Sequence, residues 1–234
     1  MTAPSVLIIT TSHATLGDTN QKTGLWLEEL TTPYYAFMDA GVQVTLASIK
    51  GGAIPVDPSS QKALGENSPS VERFYVDAMA QQAVANTPSI EDLTVSDYDA
   101  VFLPGGHGTM WDFPQSDRLA QIISEALAEG RIVSAVCHGP AGLVSAKTAT
   151  GDSIVKGRKV TAFTDAEESA VGLTETVPFL LESKLQSLGA TIHKADNFEA
   201  CVVTDGNLVT GQNPMSSELV AQKVLSLILL PAMV

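Results

Sequence analysis

Cys137 is the residue of this chain whose surroundings best fit nucleophilic chemistry. It follows Ile132-Val133-Ser134-Ala135-Val136, a short apolar run that reads as a strand buried on both faces. His138, Gly139 and Pro140 come next, and Pro140 suits a first helical turn, where its missing N–H is no loss. A reactive side chain between a strand end and a helix start is the geometry of a nucleophile elbow. Such an elbow needs small residues two positions before and two after the nucleophile, and Ala135 and Gly139 supply them. A helix N-terminus just beyond the sulfur favours the thiolate, so the Cys137 thiol is expected to titrate below the roughly 8.5 of a free cysteine.

Three further segments carry groups that can serve this nucleophile. Pro104-Gly105-Gly106-His107-Gly108-Thr109 leaves an apolar run, with three glycines in four residues that allow close backbone approach. It lacks the Lys-Ser/Thr of a phosphate loop and the spacing of a dinucleotide fingerprint. Backbone N–H groups aimed at an oxyanion fit it better, with His107 as a pocket wall. Glu28 and Glu29 open a helical stretch, where carboxylates also complement the helix dipole; one of the pair can face the sulfur. In Thr164-Asp165-Ala166-Glu167-Glu168, Asp165 reads as an N-cap and one carboxylate is a candidate to orient His138. His13, at the exit of the first strand, lies at the edge where parallel sheets bind ligands.

The elements that must hold these residues alternate. Strands are expected at 6–10, 42–48, 100–103, 132–136, 160–163, 191–193 and 200–204. Asp205-Gly206 then turns into a strand at 208–210. Helices are expected at 23–40, with a break or kink at Pro33, and at 71–86, 116–129, 178–188 and 216–230. Leu27, Leu30, Tyr34 and Phe37 mark the apolar stripe of the first. Residues 51–71 form a long polar excursion without periodicity. Cys201 sits between apolar strand neighbours and reads as core. Alternation of this kind points to an α/β fold with helices on both faces of a mainly parallel sheet. With no repeat or linker, 1–234 reads as a single domain.

Composition narrows the functions. Of 234 residues 44% are hydrophobic, the mark of a folded globular chain, and the formal net charge is −13 with a pI near 4.5. No Lys/Arg cluster exists to neutralise phosphates, so neither nucleic acid nor an anionic membrane is an expected partner. Two cysteines make no disulfide framework, no signal peptide is evident, and the apolar run at 224–234 is too short to span a bilayer; a cytoplasmic location is the expectation. The four histidines show no helical ligand spacing such as H-x-x-x-H, so no zinc site is expected.

Taken together, Gly105-Gly106-His107-Gly108-Thr109, Ala135-Val136-Cys137-His138-Gly139-Pro140, Thr164-Asp165-x-x-Glu168 and Thr210-Gly211-Gln212-Asn213-Pro214 resemble the ThiJ/PfpI superfamily, with its class I glutamine amidotransferase-like fold. They are most similar to its branch of heat-shock chaperones and glutathione-independent glyoxalases. Thr23-Gly24 followed by Glu29 and Pro33 resembles that branch's acidic-residue helix. The resemblance implies a flavodoxin-like three-layer sandwich, a homodimer, and a Cys-His-acid triad. Carried over by position, Cys137 is the nucleophile, His138 its partner and Glu168 the orienting acid. Glu29 is the second carboxylate near the sulfur; Glu28 and Glu167 are the neighbours a one-residue slip would choose. The implied activity is cofactor-free conversion of methylglyoxal, or a related small 2-oxoaldehyde, to a 2-hydroxy acid such as lactate. In it Glu29 moves the carbon-bound proton, and Gly106 and His138 N–H groups hold the oxyanion. The same superfamily also contains Cys-dependent amide and peptide hydrolases, and non-enzymatic chaperones or redox sensors in which such a cysteine is oxidised.

Overall fold

The computed structural model describes residues 3–229. In chain order the elements are β1 Ser5–Thr10, α1 Leu27–Asp39, β2 Gln43–Ser48, α2 Pro69–Val76, α3 Ala78–Ala85, β3 Ala100–Leu103, α4 Thr109–Asp112, α5 Asp117–Ala128 and β4 Ile132–Val136. Then come β5 Lys159–Val160, α6 Asp165–Ala170, α7 Leu181–Ser187, β6 Thr191–Ile192, β7 Val202–Asp205, β8 Leu208–Gly211 and α8 Ser217–Ile228. Six strands make one mixed sheet in the order β2-β1-β3-β4-β8-β7, parallel except for the β7–β8 hairpin. Counting only its parallel strands, the order is 2-1-3-4-5, the doubly wound order whose ligand crevice lies beyond the carboxyl ends of β1 and β3. The segments after β1, β3 and β4 carry Glu29, Gly106 and Cys137, so the topology gathers all three at that edge.

Because both sheet faces are covered, the strands are apolar at nearly every position. Alternate residues go to opposite sides. Leu7, Ile9, Val101, Leu103, Val133 and Ala135 pack with Leu119, Ile122 and Ile123 of α5. Val6, Ile8, Ala100, Phe102 and Val136 pack with Leu30 and Phe37 of α1 and with Val220 and Val224 of α8. Phe37 meets Phe102 edge-on at 5.8 Å between ring centroids. Each such buried Leu or Phe contributes about 1.5–3 kcal/mol relative to exposure, which fixes α1 against the sheet and so fixes the depth of its first turn.

Several elements differ from the sequence reading. The first helix starts at Leu27 rather than at 23, because residues 23–26 are tied down as extended chain: Leu25 N–H bonds the Pro55 carbonyl and Trp26 N–H bonds the Gly105 carbonyl. It runs unbroken through Pro33 although that residue lacks the N–H that would bond the Glu29 carbonyl. Tyr35 rather than Tyr34 is its buried tyrosine. The expected helix at 71–86 is two helices, split where Asp77 turns its carboxylate back to cap α3 through Met79 and Ala80 N–H. The polar excursion expected at 51–71 holds a 3₁₀ turn, Pro58–Ser60, and ends earlier than expected, at the start of α2. The expected helix at 178–188 begins only at Leu181. The strand expected at 160–163 is reduced to β5, paired with β6 in a separate two-stranded sheet. Beyond it, Thr161 N–H turns to the Thr210 hydroxyl and Phe163 N–H to the Cys137 carbonyl. Thr164, not Asp165, caps α6, in a capping box closed by Glu167. Cys201 is half-buried rather than core. The last helix ends at Ile228 with Leu229 as its cap, short of the expected 230; Leu230 and the apolar tail beyond it lie outside the described residues. Among the described residues no helix is long and apolar enough to cross a membrane.

Candidate active site

The elbow is formed as its residue sizes require. Cys137 has φ +59, a left-handed conformation that a non-glycine residue adopts only when its surroundings impose it. Here its N–H bonds the Gly211 carbonyl at 3.0 Å and its carbonyl accepts Phe163 N–H at 2.9 Å, pinning the strained peptide from two sides. A Cβ on Gly139 would collide with the Leu103 carbonyl oxygen, so the turn closes only with glycine there. The chain leaves the elbow in a five-residue 3₁₀ turn, Gly139–Leu143, rather than in an α-helix. Gly106, at φ +98 and packed against the backbone of residues 24–26, turns its N–H to the same sulfur as His138 N–H.

The adjacent histidine converges on the sulfur because of this bend. Cys137 Sγ lies 3.3 Å from His138 Nδ1, and His138 Nε2 lies 2.7 Å from Glu168 Oε2. Burial raises the Glu168 carboxyl, but hydrogen bonds from His107 and His138 outweigh it and bring it down to about 2. Glu168 is therefore an acceptor only, which makes His138 Nε2–H the donor and leaves Nδ1 free to take the thiol proton. Burial, then the neighbouring His107, holds His138 down to about 4, so the ring is neutral near pH 7. His107 Nε2 donates to the other oxygen of Glu168 at 2.8 Å, and the two imidazoles lie 4.1 Å apart.

Glu29 is fully buried at the start of α1. Its Oε2 accepts Gly105 N–H at 2.7 Å, while Oε1 has no hydrogen-bond partner among the described residues and the side chain lies against the Cys137 thiol. Desolvation pushes its carboxyl from the ordinary 4.5 up to about 8. Burial, and then the Glu29 charge, pushes the thiol up as well. This overturns the expectation of an acidic cysteine: a short 3₁₀ turn supplies little dipole, and desolvation beside a carboxylate dominates. The two groups titrate as a pair, with the Glu29 proton lost first and the thiol proton held more tightly.

The structure brings together Cys137, His138, Glu168, Glu29, Gly106 and His107, and separates the alternatives. Glu28 is half-buried on the adjoining polar surface. Glu167 is buried but committed to structure: Oε1 accepts Phe198 N–H, Gln212 Nε2 and Asn213 Nδ2, and Oε2 caps α6. That explains why the Gln212-Asn213 pair is wholly buried. His13 stacks on Trp111 at 5.2 Å and does not line the cavity over Cys137. Sequence reasoning missed that His107 shares Glu168 with His138, and it missed the cavity walls Trp26, Phe163, Phe198 and Met215. The signal available was a lone aromatic, Phe198, in a polar loop. His107, His138 and Glu168 also bring three donor atoms within 4.8 Å of one another, a grouping that sequence spacing does not reveal. Those atoms are engaged in the triad's own hydrogen bonds, so a metal there would have to displace them.

A cysteine on a strained strand-to-turn elbow, with a His-Glu pair at the edge of a doubly wound sheet, defines a class of α/β proteins. Residues 23–227 match the DJ-1/PfpI family, and the chain belongs to it. It is 32% identical over 228 residues to Glyoxalase 3 of Candida albicans, covering 94% of this chain and 96% of that one. It is 29% identical over 220 residues to the glutathione-independent glyoxalase HSP31 of Saccharomyces cerevisiae, covering 91% and 92%. Among solved structures it resembles the rapid encystment protein of Francisella tularensis (TM-score 0.91, 38% identity, 95% and 98% of the chains) and glyoxalase III of Candida albicans (0.87, 32%, 96% and 97%).

Proposed function

We propose that the protein is a glutathione-independent glyoxalase, converting methylglyoxal or a related 2-oxoaldehyde to the 2-hydroxy acid without cofactor. The observation that carries this reading is Glu29: a buried carboxyl beside the nucleophilic sulfur, with one oxygen unpartnered and a raised pKa. An amide hydrolase of the same superfamily needs a nucleophile, a histidine and an oxyanion hole, and has no use for a second carboxylate there. Moving a proton between adjacent carbons does need one. The names of the Candida and Saccharomyces relatives support the same reading.

The steps balance as an isomerisation and then a hydrolysis. The Cys137 sulfur bonds to the aldehyde carbon C1 as its proton leaves, and the carbonyl oxygen becomes the hydroxyl of a hemithioacetal. Gly106 and His138 N–H groups stabilise the charge that passes through this oxygen. The Glu29 carboxylate takes the proton on C1, giving an enediolate across C1 and C2. As the hydroxyl proton moves to the C2 oxygen, Glu29 returns its proton to C2 and leaves a thioester. Water, with His138 Nδ1 as base, then releases the 2-hydroxy acid and restores the thiol. The test is incubation of wild type and Cys137→Ser with methylglyoxal in the absence of glutathione, with lactate measured as product. Lactate from the wild type alone is the expected result; equal loss of methylglyoxal with both proteins overturns the reading.

A further inference from the structure

The cavity over Cys137 has walls that the reaction itself does not require. It measures about 240 Å³, and at its floor are Cys137, His107 and His138. Its sides are Trp26, Phe163, Val171, Phe198 and Met215, and among the described residues no Lys, Arg, Asp or Glu lines it. Three of these side chains are exposed at its mouth: Val171 at 44%, Phe198 at 38% and Met215 at 54%. Exposed large apolar side chains gathered around the opening of a reactive cavity mark a surface meant to be covered when the site is occupied.

Phe198 is held in place for this. It has φ +62, a costly conformation for a phenylalanine, and its N–H is fixed by the buried Glu167 carboxylate at 2.8 Å. Its ring lies 6.3 Å from Phe163, whose ring lies 4.4 Å from that of His138. An aromatic wall thus runs from the triad histidine to the mouth. A methyl substituent on the 2-oxoaldehyde would reach little of it. The net charge of −13 and the lack of a cation in the walls work against carboxylated or phosphorylated substrates.

We infer that the site is shaped for 2-oxoaldehydes bearing a branched alkyl or aryl group on the ketone carbon, with Phe198 as the residue that sets this preference. The inference rests on the glyoxalase reading and deepens it. Burying the larger group against Phe163, Phe198 and Met215 is worth about tenfold in kcat/KM over the methyl compound, within the range one or two buried methylenes give.

The experiment measures kcat/KM for methylglyoxal, isopropylglyoxal and phenylglyoxal with wild type, Phe198→Ala and Met215→Asp. Ratios between substrates, compared across the proteins, cancel the aldehydes' intrinsic reactivities. The wild-type protein is expected to favour the isopropyl and phenyl compounds, and both variants to lower those ratios by about tenfold. Unchanged ratios in both variants, with methylglyoxal still converted, would overturn the inference and leave the glyoxalase reading standing. Absence of turnover of all three aldehydes by wild type removes the reading and the inference together. A fall in sedimentation coefficient for both variants, with unchanged ratios, would mean that a second copy of the chain covers the rim, and would likewise overturn it.

Discussion

At the level of single residues, the proposed chemistry depends on how one proton is shared between Glu29 and Cys137. Both are raised by desolvation; the Glu29 carboxylate raises the thiol further, while the thiol's hydrogen bond to Glu29 partly offsets the rise of the carboxyl. Because the first deprotonation lies near 8, the basic form that can accept the thiol or C1 proton grows as pH rises. For wild type, kcat/KM on a 2-oxoaldehyde is expected to climb between about pH 7 and pH 9, and a pH–rate profile checks this. Replacing Glu29 by Gln removes the charge that opposes the thiolate. Iodoacetamide labelling of Cys137 should then show a lower midpoint pH in Glu29→Gln than in wild type; an identical or higher midpoint would mean that the two groups are not coupled. Cys137→Ser should lose turnover, whereas Cys201→Ser should keep it, since the half-buried Cys201 lies outside the cavity.

At the level of elements, three strand ends and one helix start meet at the same sheet edge, and backbone clearance decides whether they can. Gly139 passes the Leu103 carbonyl with no room for a Cβ. Gly139→Ala is expected to push the elbow off β3, at a cost of about 1–3 kcal/mol in a urea titration and with loss of activity. Much of this was legible in the sequence: Ala135 and Gly139 flanking Cys137 mark the elbow by size alone, and the strand–helix alternation gives the sheet. Other features were not legible because they depend on tertiary contacts. Nothing local distinguishes Glu29 from Glu28 or Glu168 from Glu167; what separates each pair is which helix face meets the sheet edge. The split at Asp77 and the cap at Thr164 rest on which of several capable side chains reaches a free N–H first. The acidity expected of Cys137 failed because a sequence shows the turn after the sulfur but not the carboxylate and apolar walls that close over it.

At the level of the whole molecule, the site is held in a protonation pattern that costs stability. A carboxyl whose folded pKa is raised from 4.5 to about 8 binds its proton more tightly folded than unfolded, so its contribution to stability is full below 4.5 and is lost as pH rises towards 8. His138, lowered from 6.5 to about 4, acts oppositely: stability is lost as pH falls from 6.5 towards 4. Glu168, lowered from 4.5 to about 2, adds stability that is lost as pH falls below 4.5. Together these groups predict a broad optimum between about pH 4.5 and 6.5 and a decline towards pH 8. Denaturant titrations of wild type and Glu29→Gln across this range check it. The variant should be the more stable of the two at pH 8, by on the order of 3 kcal/mol, and should lack the decline.

The most direct measurement of the central claim follows methylglyoxal through Glu29→Gln. The substitution keeps the side chain's size and its bond to Gly105 N–H while removing the base. Lactate formation should fall by about 10²–10⁴-fold relative to wild type, while intact-mass spectrometry shows a methylglyoxal adduct on Cys137. Lactate formed by Glu29→Gln at the wild-type rate would contradict the assignment of the proton transfer to Glu29.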